Sequence, residues 1–454
     1  MPPRCARPLP AALLPELNLG LGVDLGTSGV RLAVAGAGAR QPLWQNACPY
    51  PGPFDDPHSW RNGLIALAQS IPVPLRERLG AIALDGTSGT LLLCRADGSL
   101  LDGPLALALP YHQACLEQQE AAQALAAAGP NPPSTAAASA SGSLARALRL
   151  LAMAAEGGLL LRHQADWMMG ALLGHWRWGE ATNNLRLGWL QTRNCWAGSL
   201  ERQPWSSALP EVFDCGTVLG PVDRSRGGLA EALDLPPGCR VVAGCTDASA
   251  AVLASGAGPG DGITVLGTTL VLKQWAAQPI SGPGLSCQRL AGRWLVGGAS
   301  NAGAGVLRRF FTDAQLAELS RQIDPGRPSG LQLRPLPAVG ERFPHDDPAL
   351  QPVLEPRPVS DALYLQALLE GLSAIEAAGW QRLRELGAGP LQRVLTLGGG
   401  ARNPQWRALR QRLLQVPVLN RPQLSAAHGM ARLAAEALHR QPHDRRTEAP
   451  VSEP

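Results

Sequence analysis

The chain has 454 residues and a mass of 47.7 kDa, room for two or three domains at roughly 150 residues each. With 45% hydrophobic residues and 40 basic against 36 acidic side chains, net charge +4, the composition excludes wholesale disorder and argues against a nucleic acid or an anionic membrane as main partner. No stretch reaches the ~18 uninterrupted apolar residues of a spanning helix.

In chain order, residues 1–18 are Pro-rich and broken by Pro10 and Pro15, and predict a disordered extension. LGLGVDLG (19–26) and VRLAVAG (30–36) predict two strands joined by a tight turn. AIALDGTSG (81–89) reads as a buried strand running into a second small-residue turn. Residues 113–128 and 143–156 are Ala/Leu helices separated by the loop 129–142. RVVAGCTDASAAVLASG (240–256) is strand, turn, helix, and GITVLGTTLVLKQW (262–275) is strand, turn, strand. Residues 360–386 predict a long amphipathic helix capped by Ser360 or Asp361. RVLTLGGGARNPQWRALRQRLL (393–414) is strand, glycine turn, helix, and 442–454 a loose tail. The device at 20–36 recurs at 262–275, which predicts two related halves facing each other across a cleft, divided near residue 240.

Some chemistries are closed to this sequence. Lys273 is the only lysine, and no Gly-Lys dipeptide exists, so a Walker A loop is excluded. The nine cysteines are scattered without a C-x-x-C pair, the pattern of reduced thiols in a cytoplasmic protein, with neither a disulfide framework nor a zinc site. Other chemistries are open. In the turn Asp24-Leu25-Gly26-Thr27-Ser28-Gly29, backbone N–H groups and the Thr27 and Ser28 hydroxyls can cradle a phosphate, and Asp24 can hold Mg²⁺ through water; an ordinary hairpin reads equally well. Gly267-Thr268-Thr269 is the matching turn. Asp247, in Gly244-Cys245-Thr246-Asp247-Ala248-Ser249, is either a helix cap or a general base toward a hydroxyl. The glycine runs 297–305 and 398–400 are close-packing turns or seats for a charged or flat group; neither is a clean dinucleotide fingerprint.

Together, VDLGTSGVRLAV, GCTDASAAVLASG, VLGTTLVLK and LTLGGGARNPQW resemble the FGGY carbohydrate kinases of the actin-like ATPase superfamily, from about Leu19 to about Leu438. ALDGTSGTLLLC, HQADWMMGALLG, NNLRLGW, GGASNAGAGVLRRFF and LLEGLSAIEAAGW are most similar to the D-ribulose kinases of cyanobacteria and plants within that family. The resemblance implies an α/β fold of two actin-like (ribonuclease H-like) domains, 19–240 binding sugar and phosphate and 241–441 carrying the catalytic Asp and ATP, across a cleft. It implies ATP and Mg²⁺ as cofactors and a small sugar as substrate, with no nucleic-acid or membrane partner. Asp247 would be the base, with Thr246 beside it. Asp24 would sit near Mg²⁺ and the sugar, and Gly26, Thr27 and Ser28 at the transferring phosphoryl group. Gly86, Thr87 and Ser88 would lie at the sugar, Gly267, Thr268 and Thr269 at the ATP phosphates, and Gly303, Gly399, Gly400 and Asn403 around the adenosine.

The sequence departs from the family pattern in places. PYHQAC (110–115) carries His112 and Gln113 where relatives have an acid and a downstream Arg, which removes a usual sugar contact. Gly179-Glu180 replaces Ser-Asp or Thr-Asp, and Ser425 and His428 replace Glu and Tyr. The expected activity is transfer from ATP to the terminal primary hydroxyl of a ketopentose, D-ribulose first. Xylulose or another sugar or polyol is the alternative within the family. A nucleotide-binding actin-like protein without sugar kinase activity, degenerate or non-enzymatic, is the alternative outside it. Oligomeric state is not legible.

Overall fold

The computed structural model describes residues 16–128, 137–421 and 424–440. The segments 1–15 and 441–454, within or at the edge of the expected extension and tail, and most of the loop 129–142 lie outside the described residues. The chain forms two compact units, one running to Ala254 and resuming at Ala426, the other Ser255–Ser425.

The first unit is built on a six-stranded sheet in the order Val218–Pro221, Arg240–Thr246, Leu79–Gly86, Leu19–Leu25, Gly29–Ala35, Trp44–Pro49. Leu19–Leu25 pairs antiparallel with its hairpin partner Gly29–Ala35 and parallel with Leu79–Gly86, which in turn pairs parallel with Arg240–Thr246. The sequence of Leu19–Leu25 explains its central place. Alternate residues point to opposite faces of a sheet. Leu21, Val23 and Leu25 pack into the apolar cluster that holds Trp60, Leu64 and Leu67. Gly20 and Gly22 face the helix Ala426–Ala437, so closely that a Cβ on Gly22 would lie 1.9 Å from the Ala427 carbonyl oxygen. Ala33 and Ala35 extend that small-residue face against Ala427 and Ala431. His428 is buried on the same helix, so its departure from the family pattern falls on packing.

The second unit repeats the pattern: Leu285–Leu290, Arg293–Ala299, Leu270–Ala276, Asp261–Leu266, Arg393–Leu397, Val418–Asn420. Asp261–Leu266 again pairs antiparallel with its hairpin partner and parallel with the strand beyond. The predicted long helix spans Asp361–Glu385 and is capped by Ser360, whose hydroxyl accepts from the Leu363 N–H at 3.3 Å. Its inner face supplies Leu365, Leu368, Leu369 and Leu372 to the core.

Two expectations shift. Arg240–Thr246 is a strand of the first sheet, so Asp247 belongs to the first unit and the division falls after Ala254, not at residue 240. The helix Ala426–Ala437 returns to the first unit although it closes the described chain. Both depend on pairing between distant segments, which local pattern does not encode. The glycine run 297–305 leads into a six-residue 3₁₀ segment, Ala304–Arg309, and the predicted helices 113–128 and 143–156 shorten to Gln119–Ala127 and Ser143–Met153.

Candidate active site

Strand register brings three acids together. Asp24 is the register partner of Asp85 on the parallel neighbour, and Cys245 and Thr246 stand opposite Asp85 and Gly86 on its other side. Asp24, Asp85 and Asp247 therefore lie at the carboxyl ends of three adjacent parallel strands, where open α/β sheets place their ligand sites. Gly244 permits this, since its backbone crosses so near Leu84 that a Cβ would lie 1.7 Å from the Leu84 carbonyl oxygen.

Asp247 opens the helix Asp247–Ser255. The capping role falls to Thr246, whose hydroxyl accepts from the Ser249 N–H at 3.4 Å and donates to the Ser249 hydroxyl at 2.9 Å. The half-buried Asp247 carboxyl accepts from the Ala248 N–H at 2.7 Å. Burial raises its pKa, the Ala248 N–H opposes that rise, the Asp24 charge adds to it and the Arg186 charge counters it. A carboxylate held above its ordinary range is better matched to proton abstraction near neutral pH than an ordinary one.

Asp85 is wholly buried. Among the described residues no N–H or O–H hydrogen-bonds to its carboxyl oxygens. Its neighbour is the Asp24 carboxyl, and burial, then the Asp24 and Asp247 charges, push its pKa well up. Two buried carboxyls side by side oppose each other's ionisation. Burial also raises Asp24, against the charge of Arg31, whose guanidinium donates to its Oδ2 at 3.1 Å. An oxygen-only donor set with carboxyl oxygens short of partners fits Mg²⁺, which takes one or two carboxylates and keeps several waters.

Around these acids the remaining predicted residues separate. Thr27 and Ser28 are exposed at a turn closed by the Gly26 N–H to the Gly29 carbonyl at 3.1 Å. The Arg31 guanidinium lies against that turn, 2.5 Å from where a Gly26 Cβ would be. Ser88 is half-buried and accepts from Arg186 at 3.3 Å. Thr87 is buried, and its hydroxyl is engaged with Gln164 Oε1 at 2.9 Å and Thr90 at 2.6 Å; it braces the turn from behind. Gly86 also backs onto Gln164, with only 3.1 Å between its Cβ direction and Oε1.

In the second unit the predicted residues gather at the carboxyl ends of Asp261–Leu266 and Arg393–Leu397. The Gly267 N–H donates to the Thr269 carbonyl at 3.1 Å, as Gly26 does to Gly29 in the first hairpin, and Thr268 is exposed. A Gly303 Cβ would lie 2.4 Å from the Thr268 carbonyl oxygen, and a Gly400 Cβ 2.6 Å from the Leu266 Cβ. Gly398 takes φ +83, a left-handed conformation that favours glycine. Gly399 has open space around its Cβ direction. Asn403 differs from expectation: its Oδ1 caps the helix Pro404–Leu414 through the Trp406 N–H at 2.9 Å, and its Nδ2 donates to Ser320 at 2.9 Å. Its side chain is a cap.

Residues 262–438 match the C-terminal domain of the FGGY family of carbohydrate kinases. The chain carries an FGGY C-terminal domain. A xylulose kinase of Klebsiella pneumoniae is 28% identical over 244 residues, 51% of this chain and 50% of that protein, so the match spans half the curated relative. Two solved structures share the fold. One is a xylulose kinase from Rhodospirillum rubrum, TM-score 0.72 at 21% identity, covering 91% of this chain and 89% of that one. The other is a Plasmodium falciparum glycerol kinase with ADP, TM-score 0.73 at 15% identity, covering 93% and 90%. The chain shares the fold of these sugar and glycerol kinases.

The FGGY match begins beyond Asp247 and contains the Gly267–Thr269 turn, Gly303, Gly399 and Gly400. The acids of the first unit lie outside it. Three charged residues at those acids escaped the motif reading: Asp85, Arg31 and Arg186. Asp85 was legible only as the residue before a turn, Arg31 is a lone charge inside an apolar strand, and Arg186 sits in NNLRLGW with no local sign of its target.

Glu180 is also a buried acid, its pKa pushed up to about 8 by burial and by the Asp166 charge. A carboxyl raised in the folded state stabilises the fold fully below its unfolded pKa, and that stability is lost as pH rises through about 8. Glu180→Gln removes this titration. Unfolding free energies from denaturant titrations between pH 4 and 9 should therefore fall more steeply for wild type than for the variant, by on the order of a few kcal/mol across the window. Parallel pH profiles would contradict it.

Proposed function

We propose that the chain is an ATP-dependent, Mg²⁺-requiring cytoplasmic kinase that phosphorylates the terminal primary hydroxyl of a ketopentose, D-ribulose first, giving D-ribulose 5-phosphate and ADP. The observation that carries the reading is Asp247 at a strand end beside the Asp24–Asp85 pair, with its pKa raised and no capping duty. Such a carboxylate takes the hydroxyl proton as the oxygen bonds to the γ-phosphorus of ATP and the bond to the β-phosphate oxygen breaks. Thr27, Ser28 and the Arg31 guanidinium suit the phosphoryl group in flight, because phosphoryl transfer needs positioning and charge neutralisation above all. Ser88 and Arg186 offer a hydroxyl and a cation to the sugar. Gly267, Thr268 and Thr269 hold the ATP phosphates, and Gly303, Gly399 and Gly400 leave backbone bare for the adenosine. Mg²⁺, held by Asp24 and Asp85 through water, would neutralise phosphate charge.

Xylulose is the second reading, favoured by the Klebsiella pneumoniae relative. ADP release with Mg-ATP across D-ribulose, D-xylulose, L-ribulose, ribitol and glycerol separates the two. The proposal expects kcat/KM highest for D-ribulose. A maximum at D-xylulose would move the specificity and leave the kinase reading intact; a flat panel would remove both.

A further inference from the structure

Between the sugar turn and the base stands a four-residue helix, Ala181–Asn184. Glu180 caps it. Its Oε2 accepts from the Thr182 N–H at 2.7 Å and the Thr182 hydroxyl at 2.8 Å, and its Oε1 from the Asn183 N–H at 2.6 Å. The helix is moored below by Asp166, which accepts from the Glu180 N–H at 2.8 Å and Asn184 Nδ2 at 3.1 Å. Thr182, Asn183 and Asn184 are buried.

Two side chains reach out from this mooring in different directions. The Thr182 hydroxyl proton points at Glu180, so its lone pairs are turned outward, and one accepts from the Thr246 N–H at 3.0 Å. Thr246 precedes Asp247. Asn183 Oδ1 accepts from the Gly89 N–H at 3.3 Å, one residue beyond Ser88. Shortly after the helix, Arg186 donates to Ser88 and lends its charge to Asp247.

We propose that Thr182 and Asn183 are positioning residues that fix the spacing between the base Asp247 and the sugar turn Gly86–Gly89. The inference rests on the kinase reading above. A hydrogen bond to the backbone next to a base sets where its carboxylate stands, and a displacement near 1 Å can cost on the order of 100-fold in rate. Gly179-Glu180, where the sequence departs from the family pattern, is the root of this bracket.

Two measurements on the full chain test it: steady-state ADP release, and amide exchange resolved at Thr246 and Gly89. Thr182→Val should lower kcat by about 10- to 100-fold, with KM for ATP within about twofold of wild type. Thr182→Ser, which keeps the hydroxyl, should return kcat to within about threefold of wild type. Exchange at Thr246 should accelerate in the valine variant and not in the serine variant, while Asn183→Ala should accelerate exchange at Gly89. Thr182→Ala serves if the valine variant does not fold. Wild-type kcat in the valine or alanine variant, a serine variant as slow as valine, or unchanged exchange at Thr246 would overturn the bracket. A wild-type chain without sugar-dependent ADP release would instead remove the kinase reading, and exchange would still decide the bracket.

Discussion

Asp247→Asn should lower sugar-dependent ADP release by about 10²–10⁴-fold in kcat, the usual worth of a positioned general base. The substitution keeps the shape and the contact with the Ala248 N–H, and Thr246 keeps the helix cap, so the fold should survive with an unchanged denaturation midpoint. KM for ATP should change little, because the proton moves only in the transition state. The pH profile carries a second signature. As the proposed base, Asp247 must be ionised to act, and burial raises its pKa above the ordinary carboxylate range. The acid limb of wild-type kcat/KM should therefore lie above that range. Arg186→Met removes a positive charge that lowers the Asp247 pKa, which should shift the limb to higher pH. A limb that stays put, or an Asn variant within tenfold of wild type, would take the base role away from Asp247.

Arg410→Ala should unfold or nearly unfold the second unit, at a cost of roughly 3–5 kcal/mol against the 5–15 kcal/mol that typically holds a domain. Arg410 and Glu376 form a bidentate ion pair at 2.5 and 2.7 Å, and both side chains are buried. Arg410 also donates to Thr396 at 2.6 Å, and Thr264 donates to Glu376 at 2.5 Å. The pair thus ties Arg393–Leu397 and Asp261–Leu266, the strands that end in the glycine turns, to the helices Pro404–Leu414 and Asp361–Glu385. Removing one partner strands a buried charge. Replacing both, as Arg410→Met with Glu376→Leu, removes the charge with its counter-charge and should cost less than Arg410→Ala alone. Urea denaturation of the two variants checks this; equal or reversed costs would show that the charges are solvated.

What the sequence made legible was local. Each hairpin announced itself by alternating apolar residues around a Gly-Thr turn, and both strand-turn-strand devices occur where expected. Ser360 capped its helix as its residue type demands. What escaped was set by pairing across long separations. Nothing near Arg240–Thr246 says that it hydrogen-bonds to Leu79–Gly86, so Asp247 was expected in the second unit and lies in the first. Nothing near Asp85 says that Asp24 stands beside it. Residue type also says nothing of partners close by: Thr87 and Asn403 look like ligand contacts, and in the fold their side chains hydrogen-bond to Gln164 and Thr90, and to Trp406 and Ser320. The PYHQAC segment shows the same limit. His112 and Gln113 differ from family expectation, and the structure shows what anchors the segment: buried Arg146 donates to the Gln113 carbonyl at 3.1 Å, the Gly89 carbonyl at 3.0 Å and the Tyr111 carbonyl, tying that loop to the Gly86–Gly89 turn.

Phosphorus-31 NMR of the products is the most direct test, with Mg-ATP and D-ribulose turned over by the full chain beside Asp247→Asn. The account predicts a sugar phosphomonoester formed one-for-one with ADP, absent in the variant. ADP accompanied only by inorganic phosphate, at a rate the sugar does not change and the substitution does not lower, would contradict it.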